Sequence, residues 1–325
     1  MNLNNTEFDV SELKPEFSHI PVLLDQCIDN LNIRDGSGIF VDGTVGGGGH
    51  SFEIANRLTT GRLVCFDQDE DAIRAAKDRL APFSDRVTFV QNNFCHLSDE
   101  LDSLGIDRID GLLLDLGVSS YQLDNPERGF SYMADAPLDM RMNQKASLTA
   151  YDVVNTYSEE RLKKILYEYG DERFAPRIAF NILRARAHAP ISTTFELVDI
   201  IKSSIPAKER QTGHHPAKKT FQAIRIEVNS ELEVIESVIG QAAERLNPSG
   251  RICIITFQPD EDKVVKQTLN RLTQGCTCPK DFPVCVCGKK PILKFVNKKP
   301  ILPDEREIVT NPRSRSAKLR VAEKI

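Results

Sequence analysis

The sequence predicts an α/β fold, a parallel sheet covered by helices and interrupted by an inserted helical segment. Three observations carry this. Residues 39–50 read Ile-Phe-Val-Asp-Gly-Thr-Val-Gly-Gly-Gly-Gly-His, an apolar run, an acid and a tetraglycine, with a helical pattern starting at Ser51. From there to residue 115, short apolar runs alternate with helical ones at the spacing of right-handed βαβ units. Acids close three of those runs, Asp42, Asp67 and Asp115. Sheets of this kind bind ligands beyond the carboxyl ends of their strands.

In order, His19-Ile-Pro-Val-Leu-Leu24 opens the ordered part, and a helix is expected to about residue 31, broken by Gly36 and Gly38. Strands are expected at 39–42, 62–66, 87–91 and 109–114. Helices are expected between them at 49–58, 70–80, where Pro82 stops the run, and 97–104. The βαβ rhythm then ceases for about 100 residues, and 147–206 is helical in pattern. Ser158 reads as an N-cap followed by Glu159 and Glu160, and Thr193-Thr-Phe-Glu196 as a capping box. A second box, Ser230-Glu-Leu-Glu233, starts a helix to about 246. Asn-Pro-Ser-Gly250 turns the chain into a fifth strand, 251–256, and a helix follows at 261–272. These patterns divide the chain into a core of 1–125 and 216–325 and an inserted helical subdomain of 126–215, suited to lie over the strand ends as a lid.

The 325 residues, 40% apolar and 27% charged, have the composition of a soluble globular protein with ample core. No apolar run approaches the roughly 18 residues of a membrane span. The first 17 residues lack the basic start and apolar stretch of a signal peptide. A cytoplasmic location is expected, with no membrane partner. The net charge is −5, but residues 276–325 carry 12 Lys and Arg against 5 Asp and Glu, or +7, leaving −12 on the remainder. An acidic body with a basic tail fits one face that meets phosphates, and equally a solvated charged tail.

The glycine loop matches neither familiar phosphate signature. From Gly46 the sixth position of G-x-G-x-x-G is Ser51, from Gly43 the third is Val45, and no Gly-Lys-Ser/Thr is present. Bare backbone ahead of a helix still admits a ligand to main-chain N–H groups. That suits a group less anionic than a pyrophosphate, such as S-adenosyl-L-methionine, with a purely structural turn as the alternative. Asp67, 18 residues past Gly49, suits a bidentate bond to ribose hydroxyls or a solvated helix cap. Phe94 suits stacking on adenine or a place in the core. The segment 115–122, Asp-Leu-Gly-Val-Ser-Ser-Tyr-Gln, suits a target-facing loop or a plain turn. His50 reads best as a helix-start histidine bonded to backbone. His214-His215 lacks further ligands nearby.

Of eight cysteines, Cys27, Cys65, Cys95 and Cys253 sit singly, as reduced residues mostly in apolar runs. Cys276-Thr-Cys278 and Cys285-Val-Cys287 form a C-x-C…C-x-C set. Four such thiolates suit a zinc site, a redox pair or free thiols. The spacing departs from the usual C-x₂-C, and no metal is assigned from it.

Taken together, these stretches resemble the bacterial small-subunit ribosomal RNA cytosine-N4 methyltransferases. The matching segments are His19-Ile-Pro-Val-Leu-Leu24, 41–51, Asp115-Leu-Gly-Val-Ser-Ser120 with Gln122-Leu-Asp124, Arg128-Gly-Phe130 and Pro137-Leu-Asp-Met-Arg-Met142. Phe221-Gln-Ala-Ile-Arg-Ile226 and Asn311-Pro-Arg-Ser-Arg-Ser-Ala-Lys-Leu-Arg320 complete them. The resemblance implies a Rossmann-like class I methyltransferase sheet and S-adenosyl-L-methionine as cofactor. It implies contacts to that cofactor at Gly48, Gly49, His50, Asp67, Phe94, Asp115 and Gln122. The implied substrate is 16S rRNA, within the small ribosomal subunit, and the implied target is the N4 amine of a cytidine in the decoding region. Oligomeric state is left open, with a homodimer as one option. Two segments depart from the family pattern. Thr256-Phe-Gln-Pro-Asp-Glu-Asp-Lys263 replaces Ser-Phe-His-Ser-Leu-Glu-Asp-Arg, and Ala217-Lys-Lys219 replaces Ala-Thr-Arg; both are expected to face RNA.

For such a reaction the loop holding Asp115, Ser119 and Ser120 is the expected source of the hydrogen-bond acceptor for the cytosine amine. Ser119 or Ser120 takes that part if Asp115 is engaged by the cofactor. The base must leave its stack, and Arg313, Arg315, Lys318 and Arg320 are expected to hold phosphates. The rival readings are a non-catalytic RNA-binding assembly factor on this fold and a nicotinamide oxidoreductase, which the glycine spacing disfavours.

Overall fold

A computed structural model describes residues 20–210, 215–276, 278 and 286–325; of Ser120 it describes the backbone only. His19, His214 and Cys285 lie outside these residues.

The chain enters through α1 (Leu24–Leu31) and the first strand, β1 (Ile39–Asp42). Then α2 (Gly49–Arg57), β2 (Arg62–Phe66), α3 (Glu70–Arg79), β3 (Val87–Val90), α4 (Leu97–Ser103) and β4 (Ile109–Asp115) alternate as the periodicity requires. A short α5 (Ser120–Asp124) leads into the helices α6 (Ala150–Thr156), α7 (Glu159–Glu168), α8 (Ala175–Arg186), α9 (Thr194–Ser204), α10 (Ala207–Arg210) and α11 (Lys218–Asn229). The sheet pattern resumes with α12 (Glu231–Arg245), β5 (Leu246–Thr256) and α13 (Pro259–Thr273). It closes with β6 (Leu293–Phe295), α14 (Glu305–Thr310) and β7 (Lys318–Lys324).

The seven strands stand in the order β3-β2-β1-β4-β5-β7-β6. The pairs from β3 to β5 are all parallel. The sheet is nevertheless mixed, because β7 pairs antiparallel with both β5 and β6. The segment read as a basic tail therefore ends as an inner strand. Leu319, Val321 and Ala322 are each at most 1% exposed, and that apolar content holds it between two neighbours. One face of the sheet is covered by α1, α2 and α3, the other by α4, α12 and α13. Strand order reverses between β1 and β4, the position at which a doubly wound sheet opens a crevice.

The inserted helices share their own apolar cluster, from Phe130 through Ile205. Ala217, Phe221, Ala223, Ile224 and Val228 belong to it as well. By packing, α11 sides with the insert, and we propose that the return to the sheet unit falls at Ser230 instead of at 215/216. The capping box expected at Ser230 does not form. The residue takes φ 50° as both the end of α11 and the start of α12, with no side-chain cap bond. A left-handed residue directly joining two helices leaves its own side chain out of cap geometry. The boxes at Thr193 and the cap at Ser158 form as expected.

Candidate active site

The first wall of the site is the turn after β1. Asp42 ends that strand, and its carboxylate accepts from Thr44 N (3.0 Å) and Ser51 Oγ (2.6 Å), which ties the turn to α2. Gly46 has φ 49°, and its N–H donates to Asp67 Oδ2 at 3.0 Å. Asp67 Oδ1 accepts from Asp69 N at 2.9 Å. The tetraglycine and the acid at the end of β2 are thus joined directly, and each carboxylate oxygen keeps a lone pair for a ligand. The end of β4 meets the same turn through Asp115 N, which donates to Thr44 Oγ1 at 2.6 Å.

These groups open on a cavity of about 1180 Å³. Its walls include Gly46, Gly47, Gly49, His50, Asp67, Phe94, Asp115, Ser119 and Gln122. Gly48 is not among them. Its N–H bonds Val45 O, its φ is 75°, and a Cβ there would stand 3.4 Å from Ala76 of α3. Gly48 shapes the turn and its approach to α3. Gly49 is fixed by a neighbour too, since a Cβ would lie 2.4 Å from Pro21 Cγ.

His50 makes the backbone bond expected of a helix-start histidine and also borders the cavity. Its Nε2 lies 2.9 Å from Val22 O, a backbone bond as a helix-start histidine makes, while Nδ1 is 3.9 Å from Asp115 Oδ2 at the cavity. Gln122 is buried, and its amide is committed within the protein. Nε2 donates to Asp69 Oδ2 (2.8 Å), and Oε1 accepts from Ser119 N (3.0 Å). Asp69 is further paired with the buried Arg128 at 2.9 Å. Arg-Gly-Phe at 128–130 is therefore a structural motif. Arg128 binds the carbonyls of Arg141 and Met142, and Gly129 has no space for a Cβ, which would fall 2.3 Å from Pro137 O. Ser119 is the N-cap of α5, its Oγ accepting from Gln122 N at 3.2 Å. That bond uses part of the acceptor capacity expected of it. The side chain of Ser120 lies outside the described residues.

The opposite wall was not read as a site from sequence. Arg225, Asn229, Glu231, Val234, Phe257, Gln258 and Glu261 come from α11, α12 and the β5–α13 junction. Arg225 grips Glu231 through two bonds of 2.7 and 2.8 Å. Glu261 Oε2 accepts from the N–H groups of Phe257 and Gln258, closing a capping box at the start of α13. Among the described residues Glu261 Oε1 and Asp115 Oδ1 are buried without a hydrogen-bond partner. Gln258, expected to face RNA, lines the cavity. Lys219 instead binds the Asp171 carbonyl and carboxylate, in the stretch between α7 and α8.

Burial dominates the electrostatics. It pushes Asp42 up to about 6, Asp67 to about 7, Glu261 to about 7 and Asp115 to about 8, the last also raised by the nearby Asp42 and Glu261 carboxylates. Acids held this far above the usual carboxylate range disfavour a further anion and favour a cation.

The basic segment differs most from expectation. Arg320 makes two bonds to Asp262 (2.6 and 3.1 Å), and Lys318 bonds the same carboxylate at 3.3 Å. Both are spent on anchoring β7 to α13. Arg313 bonds Asp124 at 2.9 Å on the cavity rim.

Curated relatives named "Ribosomal RNA small subunit methyltransferase H" match nearly the whole chain. The protein of Finegoldia magna is 56% identical over 312 residues, covering 95% of this chain and 99% of its own length. That of Lachnospira eligens is 58% identical over 311 residues, with coverages of 95% and 98%. Clostridioides difficile has one 55% identical over 311 residues, with coverages of 95% and 100%. A solved putative methyltransferase of Streptococcus mutans in complex with SAH aligns over 94% of this chain and 100% of its own, at 12% identity and a TM-score of 0.45. The model of the MraW methylase family matches residues 16–325. With the relatives identical at more than half their positions, this places the chain in the MraW methylase family.

Proposed function

We infer that this protein is an S-adenosyl-L-methionine-dependent methyltransferase of small-subunit (16S) ribosomal RNA, and that it methylates the N4 amine of a cytidine in the decoding region. Family membership and the relatives' shared name support the first part. The observation that carries the second is the two-walled cavity, with Asp67 joined to the glycine turn on one side and a buried, unpartnered Glu261 oxygen on the other.

The residues fit the cofactor. Asp67 retains lone pairs for ribose hydroxyls, Gly46, Gly47 and Gly49 offer bare backbone, and Phe94 offers a ring for adenine. Asp115, on the cavity lining, offers a carboxylate to a cationic centre. S-adenosyl-L-methionine, when bound, supplies a methyl group on a positively charged sulfur. About 1180 Å³ exceeds the roughly 300–1,000 Å³ of most single-ligand sites, which leaves space for an extruded base.

The chain's own part is to orient the amine and take up a proton. A cytosine N4 that gains a methyl must lose one hydrogen as a proton. A carboxylate that accepts a bond from N4–H localises the nitrogen lone pair and stabilises the charge that develops there. Glu261 Oε1 is our first assignment for that acceptor. Its pKa near 7 allows it to be ionised at neutral pH and to receive the proton. Arg225, held by Glu231, lies on the same wall and limits how far Glu261 is raised. Displacement at a reactive methyl needs mainly alignment, and rigid walls on either side provide it.

The test is transfer of labelled methyl to assembled small subunits, naked 16S rRNA and DNA, followed by nucleoside analysis. Labelled N4-methylcytidine in rRNA is expected, with assembled subunits the better substrate. Binding of RNA without transfer would favour the non-catalytic reading. Label at another position of the base would refute the N4 assignment.

A further inference from the structure

The connection from α13 to β6 holds a cluster that the methyl-transfer site does not use. We propose that Cys276, Cys278 and Cys287 bind a zinc ion that staples this connection to the sheet. The ligand atoms of these three residues lie within 4.8 Å of one another. Cys276 and Cys287, on opposite arms of the connection, have sulfurs 3.7 Å apart. A tetrahedral ion with metal–sulfur bonds of about 2.3 Å requires sulfurs about 3.8 Å apart. A disulfide requires about 2.05 Å.

The backbone is arranged around sulfur as well. Cys278 N–H donates to Cys276 Sγ at 3.4 Å, and Val286 N–H, on the other arm, donates to Cys278 Sγ at 3.4 Å. These amide hydrogen bonds orient the sulfur lone pairs, as partners around a metal site do. Gly288 follows Cys287 with φ 62°, and a Cβ there would meet nothing within 4 Å, so the chain turns sharply right after the ligand. Lys289 and Lys290 come next and offset the excess negative charge of three thiolates around one divalent ion.

The place in the fold explains the use. The stretch between Thr273 and Leu293 is longer than most connections in a compact domain. Its base is fixed where Ile292 N bonds Leu272 O at 2.9 Å and Gly275 meets Pro291. The arms beyond that base come together at the cysteines. An ion held there ties the two arms together and fixes the approach to β6, the edge strand beside β7. Thiolate ligands and tetrahedral spacing select zinc over hard divalent ions.

Full-length protein purified without chelator or immobilised metal should contain about one zinc per chain by elemental analysis. Cys276→Ser and Cys287→Ser should each lower this at least fivefold, whereas Cys95→Ser, outside the cluster, should leave it unchanged. Because a serine variant can lose metal by misfolding, wild-type protein reconstituted with Co(II) gives a second reading. Visible ligand-field absorption of a tetrahedral thiolate site is expected. Fewer than about 0.2 zinc per chain in the wild type, absence of that absorption, or a cluster disulfide in the freshly purified protein would each overturn the proposal.

Discussion

The two walls of the cavity are built on different plans. In the glycine-turn wall, acids at the ends of β1 and β2 accept from the backbone, Asp42 from Thr44 N and Asp67 from Gly46 N and Asp69 N. In the helical wall, side chains hold one another, Arg225 by Glu231, and Glu261 is gripped by one oxygen while the other faces no partner. The first plan gives a shape fixed by main chain, fit for a cofactor that is the same in every turnover. The second leaves one acceptor uncommitted, as needed by a group that meets a visiting base. Under the proposed function, binding falls to one wall and chemistry to the other, and mutation can separate them.

The largest effect is expected from Asp67→Ala. Losing charge-assisted bonds to two hydroxyls, at roughly 1.5–3 kcal/mol each, should weaken S-adenosyl-L-methionine by about 100-fold or more in a binding titration. Glu261→Gln keeps the size of the side chain but removes the carboxylate. It should lower the methyl-transfer rate by at least about 10-fold while changing cofactor Kd less than about threefold, the signature of an interaction made in the transition state. Equal losses of affinity in both variants would erase the distinction between the walls.

A smaller effect concerns pH. Asp42 behind the glycine turn and the cavity acids Asp67, Glu261 and Asp115 have folded-state pKa values raised above their unfolded ones, to about 6, 7, 7 and 8. In ligand-free protein their contribution to stability is full below about pH 4 and is lost as pH rises through 6 to 8. A cation in the cavity lowers those values. Binding of S-adenosyl-L-methionine at pH 7 should therefore release protons, seen as a dependence of the calorimetric enthalpy on buffer ionisation. S-adenosylhomocysteine, without the sulfonium charge, should release fewer. The smallest effect is expected from Ser119→Ala, which removes the α5 cap and should cost about 1 kcal/mol in denaturant unfolding. If its methyl-transfer rate falls more than about 10-fold, the hydroxyl acts on the amine, and the assignment to Glu261 fails.

The first wall was legible because its residues follow the period of the fold. A strand, an acid and a glycine turn recur at βαβ spacing, so Asp42, Asp67 and Asp115 could be placed at one edge from sequence. The second wall was not, because the sequence reading gives no helix at 218–229 and only an ordinary helix at 261–272. Glu261 sits in an Asp-Glu-Asp run at a helix start, where acids are common for dipole reasons alone. Its signal was the box formed with Gln258, a residue that sequence reasoning set aside as a departure. Charge counting misled at Lys318 and Arg320. Basic residues alternating with Leu319 and Val321 make a strand, and their charges are answered by Asp262 from a helix distant in sequence. Gly48 shows the opposite limit, since a run of four glycines does not reveal which of them lines the cavity.

Determining the structure with S-adenosylhomocysteine bound would bear hardest on the division of the cavity. The ribose hydroxyls should lie within hydrogen-bond distance of Asp67, with the sulfur on the Asp115 side and Glu261 untouched by the cofactor. An adenosyl group resting on Arg225 and Glu231, with Asp67 untouched, would contradict it.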